Sequence, residues 1–180
     1  MKTKRLLSLL PLLALALLLG SCRGRTDRSE GTVILSVTAF DLLPVNVSVT
    51  NGPFIIGTIT LRNFPKDPSA TTSDLQSIEL RSYEVRFARR DTGTRLPPVL
   101  VEPIFGLVPV GGTDALSNLP FLTTDQLKNL PLDDLGRRGV DSETGSAVVV
   151  LRVTMTFFGR TLAGDDVATA PTSFNIEVRQ

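Results

Sequence analysis

Beyond residue 31 apolar and polar side chains alternate with a period of two over short stretches, each closed by glycine, proline, asparagine or aspartate. Successive side chains of a strand point to opposite faces, so this pattern predicts strands with one face turned to a core. Thr32 to Phe40 and Pro44 to Thr50 are the first two, the second with Val45, Val47 and Val49 on one face and Asn46, Ser48 and Thr50 on the other. Asn51-Gly52-Pro53 makes a turn before a strand from Ile55 to Arg62. After a Pro-, Ser- and Thr-rich stretch the chain re-enters sheet at Ser77. Ile78 and Leu80 share one parity while Tyr83, Val85 and Phe87 share the other, which predicts a bulge near Ser82. Asp91-Thr92-Gly93 predicts a short hairpin returning through Leu96 to Val101, and Phe105 to Val110 a further short strand closed by Gly111-Gly112. The clearest alternation runs from Ala147 to Phe158, with Leu151, Val153, Met155 and Phe157 opposite Arg152, Thr154 and Thr156. Past the hairpin signal Gly164-Asp165-Asp166, the final strand sets Phe174, Ile176 and Val178 against Asn175, Glu177 and Arg179.

From Gly112 to Ser146 the alternation lapses, over a connection far longer than the usual about 4–6 residues. Its apolar content predicts that it packs: Leu116, Leu119, Phe121, Leu122, Leu127, Leu130, Leu132 and Leu135. Thr123-Thr124-Asp125-Gln126 reads as a capping box for a short helix that Pro131 stops, with a further turn through Leu135. Residues 113–138 therefore form a leucine-rich, partly helical, cap-like insertion. Its leucines complete the core at an open end of the sheets, or else its outer side offers a surface to a partner or ligand, since binding elements commonly sit on connections held by a rigid scaffold.

Before the alternating region the pattern differs. Lys2, Lys4 and Arg5 precede an apolar run from Leu6 to Leu19, broken by Ser8 and Pro11. A membrane helix wants about 20 apolar residues, so this run reads as a cleaved export signal. It ends in Leu19-Gly20-Ser21-Cys22, which resembles the lipobox of bacterial lipoproteins. The resemblance implies cleavage between Ser21 and Cys22 and acylation of Cys22, the single cysteine of the chain. The three acyl chains typical of that family imply durable anchoring, since each buried CH₂ contributes about 0.8 kcal/mol. Arg23 stands where an aspartate would imply retention at the inner membrane, so the expected location is the outer membrane, facing the periplasm, in a cell with two membranes. The chain thus divides into a signal peptide at 1–21, a lipidated polar tether at 22–31 and a β domain at 32–180.

Composition narrows the chemistry. About 160 residues remain after cleavage, enough for one domain with its own core. Lys and Arg number 19 against 18 Asp and Glu; three of the bases lie in the leader, so the exported part is near neutral and lacks the clustered positive charge of a nucleic-acid binder. With its cysteine acylated the domain has no internal disulfide. Histidine is absent, which removes Ser-His-Asp and Cys-His nucleophiles and histidine-held zinc or haem. Beyond the leader the lysines are Lys66 and Lys128. No catalytic residue, metal ligand or cofactor is assigned. Asp141-Ser142-Glu143 and Asp165-Asp166 are acidic enough to share a calcium ion but are better explained as turns. Arg86, Arg89, Arg90 and Arg95 gather about Asp91, where pairing with Glu84 and Asp91 outweighs an anionic surface as the explanation. The phenylalanines fall mostly at inward positions, and tryptophan is absent.

Some seven short strands with little helix predict an all-β fold, a two-sheet antiparallel sandwich whose helical insertion precedes the penultimate strand. Residues 32–180 resemble in architecture the immunoglobulin-like and fibronectin-III-like modules of exported lipoproteins. The tryptophan and cysteine pair of antibody domains are missing, and no motif carries an activity across. The expected function is a membrane-anchored, non-enzymatic interaction or structural module of the cell envelope with a protein partner there; the alternative is a carrier of a small apolar or lipid ligand.

Overall fold

A computed structural model describes Gly31–Gln180, apart from Leu42 and Pro44. The expectations at Ser21 and Cys22, the leader and the tether up to residue 30 lie outside the described residues. Among those residues the chain is mostly strand: β1 Val33–Asp41, β2 Asn46–Ser48, β3 Phe54–Pro65, β4 Ile78–Arg89, β5 Leu100–Val108, β6 Thr113–Leu122, β7 Val149–Thr161, β8 Asp166–Ala168 and β9 Thr172–Arg179. Two helices, α1 Thr124–Leu127 and α2 Leu132–Arg138, lie between β6 and β7, and a 3-10 turn, Asp74–Gln76, precedes β4. No helix among the described residues is long and apolar enough to cross a membrane.

The strands form two sheets. The smaller has the order β1-β3-β6 and the larger β2-β9-β7-β4-β5, with β8 added to β7. Alternation explains the clearest strand: Val149, Leu151, Val153, Met155 and Phe157 of β7 are buried while Arg152 is exposed. In β4 the inward parity changes from Ile78 and Leu80 to Tyr83, Val85 and Phe87, and the register with both neighbours shifts between Leu80 and Ser82, the expected bulge. Beside it Gly159 lets β7 approach closely, because a Cβ there would sit 2.7 Å from the Glu79 carbonyl oxygen.

Buried residues of both sheets join one apolar cluster. Phe121 of β6 meets Phe174 of β9 edge-on at 5.6 Å. The Tyr83 hydroxyl of β4 donates to the Pro120 carbonyl of β6 at 2.7 Å, and burial pushes that phenol well above its ordinary range, so it stays a donor. Asn63 of β3 is fully buried and its side-chain amide donates to the carbonyls of Gln76 and Val108, at 2.9 and 3.3 Å.

Four expectations are corrected. β2 runs parallel to β9, so the larger sheet is mixed rather than antiparallel. The expected strands at 96–101 and 105–110 are one strand, β5, which carries Pro103 because an edge position tolerates a missing donor; the return from β4 is correspondingly a longer connection through Pro97-Pro98. Residues 113–122 are not insertion but β6, paired with β3 along its length. Finally, Asp166–Ala168 forms a strand of its own, so the helices precede the third strand from the end.

Candidate functional site

The connection from β6 to β7 is the one part of the described chain with helices, and its local sequence explains them. The Thr123 hydroxyl accepts from the Gln126 N–H, and the Gln126 side-chain oxygen accepts from the Thr123 N–H at 2.8 Å, which satisfies two donors that a helix start leaves open. Gln126 is itself buried, and its amide donates to the Pro98 carbonyl at 2.8 Å, tying α1 to the connection between β4 and β5. In α2 the acidic Asp133 and Asp134 sit in the first turn and Arg137 and Arg138 in the last, as the helix dipole favours. Gly139 closes α2 at φ 74°, a conformation glycine adopts without steric cost. Leu132 and Leu135 turn inward and are fully buried.

A charged cluster fixes this end of the domain. The Arg89 side chain, 4% exposed, pairs with Asp91 at 2.6 Å and Asp141 at 2.8 Å. Asp91 also accepts from the Gly93 and Val150 N–H groups. Asp141 accepts from the Thr144 hydroxyl and the Glu143 N–H. Burial pushes both carboxyls up, but the Arg89 hydrogen bonds and charge, together with the Val150 and Gly93 N–H groups on Asp91 and the Thr144 hydroxyl and Glu143 N–H on Asp141, outweigh it and hold them below the ordinary carboxylate range. Glu143 is held low by the Thr94 hydroxyl and the Arg95 and Thr94 N–H groups. A side chain at Gly93 would strike the Arg89 guanidinium, its Cβ 2.3 Å away. These contacts stitch the 90–99 connection to the turn at 141–146. Ser142 extends them, bonding Asp134 of α2 and accepting from Arg95.

Of the eight residues expected to form a partner or ligand surface, Leu116, Leu119, Phe121, Leu122, Leu132 and Leu135 are buried, Leu127 packs half-buried against the core and Leu130 alone is exposed. Their side chains fill the interior, so a partner at this end would meet Leu130 and the polar outer side of α1 and α2. Arg86 pairs with Glu84 at 2.6 Å and Arg89 with Asp91 and Asp141, the expected neutralisation. The two acidic turns are not together: Asp91 and Asp141 stand by Val150 at one end of β7, and Asp165 is bonded to Thr161 at the other, a span of about 35 Å along the strand. Among the described residues no group of three or more His, Cys, Asp or Glu is placed to hold a metal.

The pattern of the sequence did not single out the outer face of β5. Val99, Val101, Phe105 and Leu107 are each at least half exposed, and Phe105, which alternation among phenylalanines would put inward, is 90% exposed. The signal was present: the odd positions from Val99 to Leu107 are apolar without a break, while the even ones carry Glu102 and Gly106 among Leu100, Ile104 and Val108. Comparison with protein-family models, with curated proteins and with solved structures finds no match.

Proposed function

We propose that the chain is an exported lipoprotein, cleaved before Cys22 and held by acyl chains on that residue, whose β domain serves the cell envelope as a non-enzymatic interaction or structural module. Leu19-Gly20-Ser21-Cys22 carries this reading, because the single cysteine falls where the apolar run stops, preceded by two small residues that suit a peptidase groove. The strand arrangement supports the immunoglobulin-like sandwich proposed for the domain. With β1, β3 and β6 in one sheet and β4, β7 and β9 in the other, the order corresponds to the A-B-E and C-F-G sets of that fold, β5 extending the second.

Function at a surface suits what the domain offers. The polar side of α1 and α2, with Leu130, Arg137 and Arg138 exposed, projects from a rigid end fixed by Arg89. The test is expression of the whole chain and of its Cys22→Ser variant in a bacterium that processes lipoproteins, with a photo-crosslinking residue at Leu130. The wild type is expected to carry an acylated mature mass, partition into detergent and give a discrete crosslinked adduct. The variant should keep its leader, remain unacylated and lose the adduct. Identical mass and partitioning of the two would refute the anchor; an acylated protein without an adduct would refute the docking surface alone.

A further inference from the structure

We infer that the outer face of β5 is a second membrane contact, on which the domain lies against the bilayer that holds its anchor; this rests on the lipoprotein reading. β5 is an edge strand, and its alternation is unusual: Leu100, Ile104 and Val108 face the core, while Val101, Pro103, Phe105 and Leu107 face out, continuing Val99. Five outward positions in a row are apolar, a stripe about 27 Å long. A proline at its middle removes a backbone donor from β5, so another strand does not extend this edge without interruption. What the stripe offers is side chains rather than a ladder.

Chain geometry selects a lipid surface as the occupant. The described domain begins beside the end of β5: the Thr32 hydroxyl accepts from Gln76, whose carbonyl is bonded by Asn63, which also bonds the carbonyl of Val108. Nine residues separate Cys22 from Thr32, a reach of about 30 Å when extended. The length of that segment bounds how far Thr32 lies from an acylated Cys22, and the Val108 end of the stripe is the end linked to Thr32. Chemistry agrees. The adjacent row on β4, in register with Leu107 and Val101, consists of Glu79 with Arg81 and Glu84 with Arg86, each acid paired with its base. Net charge of that row is zero, Glu102 of β5 itself adds an acid, and Asp67, Asp74, Asp165 and Asp166 outnumber Lys66 and Arg160 around Thr32, Ser77 and Thr161 at the end where the domain begins. Contact thus comes from burying apolar side chains and is served by zwitterionic lipid, without the anionic attraction of a basic surface.

The absence of tryptophan makes the test direct. Acylated protein carrying Phe105→Trp, Val101→Trp or Val45→Trp, each the single tryptophan of its chain, is bound to phosphatidylcholine vesicles with brominated acyl chains. Val45 is 63% exposed beside β2, the opposite edge of the same sheet. Emission at 105 and 101 is expected to fall roughly twofold or more and shift to the blue, while emission at 45 stays as in plain vesicles. Protein that floats with the vesicles but shows all three positions alike overturns the contact and leaves the anchor standing; protein that does not float overturns both. A concentration-dependent blue shift of Phe105→Trp in lipid-free Cys22→Ser protein would assign the stripe to a second copy instead.

Discussion

Arg89 lies between Asp91 and Asp141 with almost no access to water, and Asp141 has none. Such a pair is not a large source of stability, because taking both charges from water offsets their attraction, yet removing one partner strands the other. Arg89→Met is therefore expected to lower unfolding free energy by about 3–5 kcal/mol at neutral pH, measured by urea denaturation. The pH dependence separates this cause from lost packing. In the wild type the folded carboxyls of Asp91, Asp141 and Glu143 are held below their ordinary values. Their contribution is complete above the ordinary carboxylate range and is lost as pH falls through the lowered values. In Arg89→Met the hydrogen bond and charge of the guanidinium are gone while the Thr144 hydroxyl and Glu143 N–H bonds remain, so burial, which raises Asp141, is opposed by less than in the wild type. The folded variant then takes up its proton at a higher pH than the folded wild type does, so the deficit of the variant shrinks as pH falls through the carboxylate range. A deficit that stays constant over that range would show that the guanidinium acts by filling space.

At the scale of elements, α1 rests on four residues. The Thr123 hydroxyl is a helix-start acceptor, so Thr123→Ala should destabilise the domain by about 1 kcal/mol, while Thr123→Ser, which keeps the oxygen, should stay near wild type; equal losses in both would mean that the cap is idle. This box was legible because capping depends on residue type at fixed spacing, as was the bulge in β4, which shows as a change of parity. β6 was not legible. Its inward residues are Leu116, Leu119, Phe121 and Leu122, a spacing that is neither two nor regular. Asn118 takes a left-handed φ of 57°, and the register with β3 slips where Phe54 faces Leu122 but Ile55 faces Pro120, leaving Phe121 extra. Two irregularities within five residues erase the period on which strand reading depends. The same limit explains the leucines of 116–135: apolar content foretold packing, but which of them turn inward depends on β6 joining β3 and on the turns of α2. On β5 parity misleads instead: the odd positions from Val99 to Leu107 are all apolar while the even ones include Glu102 and Gly106, yet Leu100, Ile104 and Val108 face the core and the apolar row is left in water at the sheet edge.

For the molecule as a whole, the question is what makes two sheets behave as one body. Apolar burial from Val33 to Val178 supplies most of the cohesion, but it is non-directional and does not fix one sheet against the other. Directional ties occur along the length of the domain: Asn63 to Gln76 and Val108 near the start of β1, Tyr83 to Pro120 in the interior, and Gln126 to Pro98 beside the helices. Asn63 is the least replaceable of these, since it is fully buried and serves the carbonyls of Gln76, in the turn before β4, and Val108, at the end of β5. Asn63→Ala leaves both acceptors without that donor, at about 1–3 kcal/mol each. The single tyrosine, Tyr83, sits at the interface of the sheets and reports tertiary packing, while far-ultraviolet dichroism reports the strands themselves. If the ties make the sheets one cooperative unit, Asn63→Ala moves both signals to a lower urea midpoint together, and the two transitions coincide in the variant as in the wild type. Loss of the tyrosine signal ahead of the strand signal would instead mean that the sheets separate before either unfolds, with Asn63 as the latch at the end where the tether enters.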